Sequence, residues 1–270
     1  PSSPTFNPND DYKDTTRLQS EVPFNRAIGQ VYEPGSVFKV LTMAAALDSG
    51  TVTPQTKFID KGVFNYAGIS VVNWNRAPWG EQTMTGCLKN SLNVCLAWIS
   101  TTMGYKTFYD YLDRFGIGKY TYIDLDGEVS YPLTLDTDPG WHNSNLATNA
   151  YGHSVAVTPI QMLKAISAVA NNGQMVAPHL LKAYVDNGRQ FEVTPNLEGQ
   201  PIKPETARVL SEMLAEAIEG EASTSAVPGY RIAGKTGTAD IPINGSYSSG
   251  LTNASFVGWG PVDDPRFMVY

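Results

Sequence analysis

Three short motifs follow one another along this chain, and their residue types are those of serine acyl transfer. In order they are Ser36-Val-Phe-Lys39, Ser91-Leu-Asn93 and Lys235-Thr-Gly-Thr238. Together they provide a hydroxyl nucleophile, an amine that can accept its proton, a second hydroxyl, an amide and an anion-binding cation. Each motif is short enough to arise by chance, so their significance depends on joint occurrence in this order.

The first motif pairs Ser36 with Lys39 at the start of a predicted helix, which places both side chains on one face. The free N–H groups and positive dipole end of a helix N-terminus suit a developing oxyanion. A lysine buried among apolar residues beside a second cation has a lowered pKa, so its neutral amine could accept the serine proton. For this motif alone, a serine-capped helix with a surface lysine is the simpler interpretation.

The second motif lies where a helix predicted over about 84–89 gives way to another that begins near Val94. In a tight turn, the side chains of Ser91 and Asn93 point the same way. The hydroxyl could relay a proton to a leaving amine, and the amide could pair with a substrate peptide group. Taken alone, capping at a helix junction accounts for both residues.

The third motif follows an apolar segment, Tyr230-Arg-Ile-Ala233, that predicts a strand. Lys235 and the hydroxyls of Thr236 and Thr238 make a site for a terminal carboxylate. The side-chain-free Gly237 between them leaves backbone open for a ligand to pair against. An exposed strand end explains this motif about as well.

Composition excludes several classes of function. At 270 residues the chain fits one large domain or two small ones. The net charge of −7, without a basic run, argues against nucleic-acid binding. No run of about 18 apolar residues is present, so we expect neither a membrane span nor a signal peptide in this segment. His142, His153 and His179 lack metal-ligand spacing, and no metal or cofactor is expected.

The elements that must position the motifs can be read from the hydrophobic pattern. Residues 35–49 are apolar on nearly all sides, which predicts a buried central helix that Gly50 ends. Thr158-Pro-Ile-Gln161 is a capping box that starts another helix, and helical spacing predicts a third over 204–219. A hairpin over 179–193 turns at Asp186-Asn187-Gly188.

Strands dominate the last part of the chain. Residues 254–260 and 266–270 predict two strands joined by a turn at Asp263-Asp264-Pro265. Helices in the first two thirds followed by strands in the last third predict an α+β fold, in which helices flank an antiparallel sheet.

The two cysteines, Cys87 and Cys95, leave the redox compartment open. On one continuous helix they would lie about 12 Å apart, beyond disulfide reach, although a turn between them would change that. Two buried free thiols are the interpretation that we favour.

As an ordered set, the three motifs resemble those of the penicillin-binding transpeptidases. The likeness extends over nearly the whole chain, and its flanking segments look like those of the class B, monofunctional members. These segments are Pro4-Thr-Phe-Asn-Pro-Asn9, Phe24-Asn-Arg-Ala27, Tyr32-Glu-Pro-Gly-Ser36, Tyr151-Gly-His153, Thr158-Pro-Ile-Gln161, Asn172-Gly173, Pro178-His179 and Ser255-Phe-Val-Gly-Trp259.

The resemblance implies a catalytic role for four residues. Ser36 would be the acylated nucleophile, Lys39 its general base and Ser91 the proton relay. The backbone N–H groups of Ser36 and Thr238 would form the oxyanion hole. His153 is interpreted as structural, because no Ser-His-Asp arrangement is readable around it.

Substrate-binding roles follow from the same resemblance. Asn93 would hold the donor stem peptide, and the Lys235, Thr236, Gly237 and Thr238 segment would bind its terminal carboxylate. The implied activity is that of a peptidoglycan D,D-transpeptidase. A donor ending in D-Ala-D-Ala acylates the serine, and the amine of a neighbouring stem peptide resolves the ester into a cross-link. β-Lactams mimic the donor and inhibit the enzyme.

The resemblance also implies partners and a location. The partners are stem peptides ending in D-Ala-D-Ala, β-lactam antibiotics, and a glycosyltransferase with other cell-wall proteins. The location is the outer face of the bacterial cytoplasmic membrane, with an anchoring segment outside this chain.

One transpeptidase domain is expected over residues 1–270, helical over about 30–225 and with its sheet strands over about 228–270. The expected fold is β-lactamase/transpeptidase-like. Against the family pattern, an opening strand pair and a closing helix are missing. We therefore expect a domain truncated at both ends, with a sheet short of strands.

Three alternatives share this chemistry. A serine β-lactamase is disfavoured, because Leu92 stands where class A enzymes have Asp and Asn93 where class D enzymes usually have Val. A D-Ala-D-Ala carboxypeptidase differs only in using water as the acceptor. A non-enzymatic β-lactam sensor would acylate once and signal.

Overall fold

The computed structural model describes residues 25–219, 225–241 and 250–270. The segment Pro4–Asn9, and Phe24, lie outside these ranges. In the described ranges no helix is long and apolar enough to cross a membrane.

The α-helices are α1 (Arg26–Gly29), α2 (Lys39–Asp48), α3 (Met84–Lys89), α4 (Asn93–Met103), α5 (Tyr105–Arg114), α6 (Asn145–Thr148), α7 (Pro159–Ala170) and α8 (Pro204–Glu219). The strands are β1 (Lys57–Asp60), β2 (Val63–Tyr66), β3 (Ile69–Val72), β4 (Gly80–Thr83), β5 (Met175–Val176), β6 (Ala183–Asp186), β7 (Arg189–Glu192), β8 (Leu197–Gly199), β9 (Ala233–Asp240), β10 (Thr252–Gly260) and β11 (Phe267–Val269).

Helix α2 forms the centre of the core, as its apolar pattern predicts. Every residue of α2 except Leu47 is buried, and the helix packs against α4, α5, α7 and α8. The preceding turn, Gly35–Phe38, is a 3₁₀ helix, so the predicted central helix is confirmed with a tighter first turn. Ser36 therefore lies at the entrance of the most enclosed helix of the fold.

The largest described sheet is antiparallel, in the order β11-β10-β9. Helix α8 packs against β9, so the predicted α+β fold is confirmed. The predicted strand start is wrong, because β9 begins at Ala233 instead of Tyr230 and continues to Asp240. The Lys235-Thr-Gly-Thr238 motif thus lies within a strand and not at its end. Pairing with β10 along eight residues, from Ala233 to Asp240, stabilises this extended course.

Other predicted elements are present, and two of the helices have the predicted bounds. Helices α3 and α8 begin and end where they were predicted, and α7 has the full Thr158–Gln161 capping box. The β6–β7 hairpin turns at Asn187 and Gly188, both with positive φ, as a two-residue turn requires. The β1–β4 and β2–β3 pairs were not predicted, because these strands are four residues long and half exposed.

The prediction of two free thiols is wrong, because Cys87 and Cys95 form a disulfide. The chain does not continue as one helix between them. Ser91 adopts a left-handed conformation with φ of +52°, and this turn separates α3 from α4. The two cysteines therefore lie on different helices, with their Cα atoms 6.1 Å apart. The disulfide closes the loop that carries Ser91 and Asn93.

Candidate active site

The turn that carries Ser36 is clamped on both sides by backbone. Gly35 has a φ of +58° and donates its N–H to the Gly152 carbonyl at 3.1 Å. A Cβ on Gly152 would lie 2.2 Å from the Gly35 oxygen, and one on Gly35 would lie 2.8 Å from the Thr238 oxygen. Both positions accept only glycine without a backbone shift, so Ser36 is held at a fixed place between β9 and the backbone at Gly152.

Lys39 joins the first motif to the second. Its ammonium donates to the Ser91 carbonyl oxygen at 2.7 Å, to the Ser91 hydroxyl at 3.2 Å and to Asn93 Oδ1 at 2.7 Å. The side chain is completely buried. All three acceptors are neutral, so they orient the amine without supplying a countercharge.

The electrostatic setting of Lys39 favours its neutral form. Burial lowers the pKa of Lys39 well below its ordinary value, and repulsion from the Lys235 ammonium lowers it further. A lowered pKa makes the neutral amine, which can accept a proton, more accessible. The sequence interpretation with a surface lysine is therefore wrong, and that with a buried amine beside a second cation is confirmed.

Asn93 connects the lysine to the β2–β3 hairpin. Its Oδ1 accepts from Lys39, and its amide nitrogen donates to the Val72 carbonyl at 3.1 Å. Leu92 is the N-cap residue of α4, and the first-turn N–H of Val94 is capped from elsewhere in the fold, by Asn73 Oδ1 at 3.2 Å. The capping interpretation of the second motif is therefore wrong for Asn93, whose side chain points into the site.

The third motif presents alternate side chains to opposite faces of β9. Lys235 and Gly237 are buried, whereas Thr236 and Thr238 are exposed. A Cβ on Gly237 would lie 2.4 Å from the Ser255 hydroxyl and 2.8 Å from Val37 Cγ2. Close packing of β9 on the 3₁₀ turn therefore requires glycine at position 237. This requirement adds to the one predicted from the sequence, that glycine leaves the backbone open to a ligand.

All eight predicted site residues lie together. Seven of them line a cleft of about 470 Å³, and Lys39 lies beneath it in contact with Ser91 and Asn93. The seven lining residues are Ser36, Ser91, Asn93, Lys235, Thr236, Gly237 and Thr238. The first and the last of these residues, Ser36 and Thr238, are about 200 positions apart in the sequence, so only the tertiary fold brings them together.

Sequence reasoning missed part of the cleft wall. The further lining residues are Trp74, Leu88, Lys89, His153, Ala217 and Gly234. Trp74 is 64% exposed, and its indole N–H donates to the Asn90 carbonyl at 3.3 Å. A tryptophan in a polar loop without periodicity, as in Asn73-Trp-Asn-Arg76, was the one available signal.

His153 lies at the cleft edge, with its ring 5.0 Å from the Tyr151 ring. Burial lowers the pKa of His153, and the charge of Lys39 adds to this effect. The carboxylates of Glu33 and Asp240 oppose it without reversing it. The imidazole is therefore neutral near pH 7 and adds no positive charge to a cleft that Lys89 and Lys235 already line.

The arrangement is equipped for acyl transfer. A serine lies at a helix start, a buried amine contacts a second serine, and a buried cation lies on a strand whose backbone lines the cleft. Among the residues with described positions, no group of three or more His, Cys, Asp or Glu side chains could hold a metal ion.

Comparison with known proteins gives the same family throughout. A family profile described as the penicillin binding protein transpeptidase domain matches residues 1–270. The chain is 35% identical over 281 residues to stage V sporulation protein D of Bacillus subtilis, covering 100% of this chain and 42% of that protein. It is 30% identical over 272 residues to peptidoglycan D,D-transpeptidase FtsI of Escherichia coli, covering 98% of this chain and 42% of that protein.

Solved structures agree. Penicillin binding protein 3 of Mycobacterium tuberculosis, complexed with aztreonam or with ampicillin, has a TM-score of 0.88 and 30% identity to this chain. The match covers 98% of this chain and 60% of that one. The chain thus spans less than half the length of the two relatives named above. Because the family profile matches it from end to end, the chain belongs to the penicillin-binding protein transpeptidase family.

Proposed function

We propose that residues 1–270 form the catalytic domain of a peptidoglycan D,D-transpeptidase that cross-links stem peptides through an ester on Ser36. The observation that carries the proposal is the buried amine of Lys39, which has a lowered pKa and contacts both Ser91 and Asn93. The name of the Escherichia coli relative supports the same activity.

Acylation begins with the Ser36 hydroxyl. Its oxygen attacks the carbonyl carbon of the penultimate D-Ala, and the neutral amine of Lys39 takes the hydroxyl proton. The backbone N–H groups of Ser36 and Thr238 stabilise the oxyanion. When the peptide C–N bond breaks, the Lys39 ammonium returns a proton through the Ser91 hydroxyl, 3.2 Å away, to the leaving amine of D-Ala.

The donor is held along β9. This strand has one neighbour, β10, among the described strands, so its other edge offers backbone groups to an extended peptide. The Lys235 ammonium, with the hydroxyls of Thr236 and Thr238, binds the terminal carboxylate. The Asn93 amide pairs with the stem peptide.

Deacylation completes the transfer. The amine of a second stem peptide attacks the ester carbonyl, loses a proton to the Lys39 amine through Ser91, and displaces the Ser36 oxygen, which is reprotonated. One peptide bond is broken and one is formed, so the reaction needs no external energy source. A β-lactam enters the first step as a donor mimic and leaves an ester that is slowly hydrolysed.

The setting follows from the family. We assign the protein to the outer face of the cytoplasmic membrane, anchored by a segment outside this chain. There it works beside a glycosyltransferase that supplies the glycan strands. The support is the peptidoglycan substrate in the name of the Escherichia coli relative.

Labelling with a fluorescent penicillin tests the nucleophile. We expect stoichiometric labelling of the chain and loss of labelling in Ser36→Ala. Ser70→Ala is the matched control, because Ser70 is an exposed strand serine that bonds to Asn65. Labelling of Ser36→Ala at the wild-type level would contradict the assignment.

A second assay identifies the acceptor. A donor peptide ending in D-Ala-D-Ala is incubated with an excess of an acceptor amine, and products are separated by mass. We expect the cross-linked product together with released D-Ala. A hydrolysed donor alone would indicate a carboxypeptidase, and rapid turnover of free penicillin would indicate a β-lactamase.

A further inference from the structure

A second cavity lies apart from the catalytic cleft, at the C-terminal end of α5 beside α7 and β8. We call it the tyrosine cleft. It has a volume of about 840 Å³, and its lining includes Arg114, Lys119, Tyr120, Tyr122, Lys164 and Glu198. No described residue lines both cavities. Its volume is in the upper part of the roughly 300–1,000 Å³ range of small-molecule sites.

Two aromatic rings form one wall of this cavity. Tyr120 is 47% exposed and Tyr122 is 82% exposed. Their ring centroids are 6.1 Å apart, with 43° between the planes. Aromatic rings this exposed lose hydrophobic stabilisation unless a ligand covers them.

Hydrogen bonds hold the loop that presents the rings in one backbone conformation. The Glu128 carboxylate accepts from the Thr121 backbone N–H and hydroxyl, both at 2.6 Å, and from the Tyr122 N–H at 2.9 Å. Thr121 is buried. Three hydrogen bonds to one carboxylate therefore fix the backbone between the two tyrosines.

Tyr122 also holds an unfavourable backbone conformation. Its φ of +55° lies in the left-handed region, which costs a non-glycine residue about 1–2 kcal/mol. No apolar burial of the ring offsets this cost, since the ring is the more exposed of the pair. In this conformation Tyr122 lines the cavity.

The remaining walls are polar but close to neutral. Lys164 is paired with Glu198, and Lys119 with Asp113 at 2.6 Å. The Arg114 guanidinium lies 4.5 Å from the Tyr111 ring centroid. Three cations and two carboxylates line the cavity. The lining therefore has both hydrogen-bond donors and acceptors, and its net charge is +1. An anion would have to compete with carboxylates that already occupy two of the cations.

These features fit a sugar. Pyranose rings present an apolar C–H face, which covers an aromatic ring, and hydroxyls that both donate and accept hydrogen bonds. We propose that the tyrosine cleft binds a neutral oligosaccharide. Resting on the proposed function, the oligosaccharide is the N-acetylated amino-sugar glycan to which the stem peptides are attached. The protein then holds the glycan strand at one site and the peptide at another.

The test is calorimetric titration of the full chain with chitotetraose, a β-1,4-linked tetramer of N-acetylglucosamine. We expect saturable binding, weakened at least about tenfold in Tyr122→Ala and in Tyr120→Ala through loss of the stacking face. Tyr131→Ala is the matched control, because Tyr131 is 56% exposed outside the cavity. It should bind within twofold of the wild type.

Several results would overturn the proposal. They are absence of saturable binding, equal weakening in Tyr131→Ala, displacement by inorganic phosphate, and loss of binding after penicillin has blocked Ser36, which would place the sugar in the catalytic cleft. Parallel labelling of the wild-type chain by a fluorescent penicillin separates the two proposals. Labelling without sugar binding refutes only the sugar site, and sugar binding without labelling refutes only the proposed function.

Discussion

The catalytic cleft and the tyrosine cleft each contain a buried lysine, but the two lysines have opposite surroundings. Lys39 contacts neutral oxygens from Ser91 and Asn93, and within the described residues it has no carboxylate partner. Lys164 is paired with the carboxylate of Glu198. The two side chains are 0% and 8% exposed, so burial alone does not distinguish them.

The difference shows what makes a buried lysine reactive. A buried ammonium without a countercharge is penalised by desolvation, and its neutral form becomes accessible. The nearby Lys235 ammonium increases the penalty on Lys39. At Lys164 the carboxylate of Glu198 compensates the charge, and the pair ties α7 to β8. The same residue type is the proposed base beside one cleft and a structural tie in the other.

The largest effect is expected at Lys39. Lys39→Met should reduce the rate of acylation by a fluorescent penicillin at least about 10³-fold, because the nucleophile loses its base. Lys57→Met is the matched control, since Lys57 is an exposed lysine on β1. Circular dichroism checks that both variants are folded. Retention of more than a tenth of the wild-type rate by folded Lys39→Met would exclude Lys39 as the base.

The next effect concerns the pH dependence of acylation. Lys39 acts as a base only when deprotonated, so the rate rises with pH through its lowered pKa. Repulsion from Lys235 is the second cause of that lowering, after burial. Lys235→Met should therefore raise the pKa of Lys39 and move the ascending limb to higher pH, whatever happens to the maximal rate. Stopped-flow acylation from pH 5 to 10 measures the midpoint.

Lys89→Met is the control for this shift. Lys89 also lines the catalytic cleft but is exposed, so water screens its charge. Its removal should leave the midpoint nearly unchanged. An equal midpoint in the wild type and in Lys235→Met would mean that burial alone sets the pKa of Lys39.

A smaller effect is expected from breaking the buried pair of the tyrosine cleft. Lys164→Met should lower the free energy of unfolding by about 2–3 kcal/mol, because it leaves Glu198 without its partner in a partly buried place. The double variant Lys164→Met/Glu198→Leu should recover most of this loss, since no charge is then left uncompensated. Urea unfolding measures both. A double variant with the summed loss of the two single variants would show that the two side chains do not interact.

The sequence predicted the local parts of the catalytic cleft well. The apolar pattern over 35–49 indicated that Lys39 would be buried, and the three motifs named eight residues that the fold brings together. The sequence did not predict the features of the site that depend on tertiary contacts. Gly152 is required by a contact with Gly35, and nothing near either residue indicates that they meet.

The disulfide and the tyrosine cleft were missed for related reasons. The Cys87–Cys95 bond depends on the left-handed conformation of Ser91, which serine rarely adopts. The sequence indicated the helix junction, but not a turn geometry that brings the two thiols together. Tyr120 and Tyr122 lie in a loop without periodicity, and Lys164 pairs with Glu198 from an element that follows a separate hairpin. Local propensity does not encode such contacts.

The smallest effect is expected from an exposed ion pair. Lys57 and Glu81 join β1 to β4, with 2.9 Å between Nζ and Oε1. That distance is normal for an ion pair, but the two side chains are 68% and 60% exposed. Water and salt screen such a pair, so Lys57→Met should change the free energy of unfolding by less than about 1 kcal/mol. Urea unfolding at low and high salt checks this, with Lys164→Met measured in parallel. Equal losses of stability in Lys57→Met and Lys164→Met would mean that burial does not make the Lys164 pair stronger than an exposed pair.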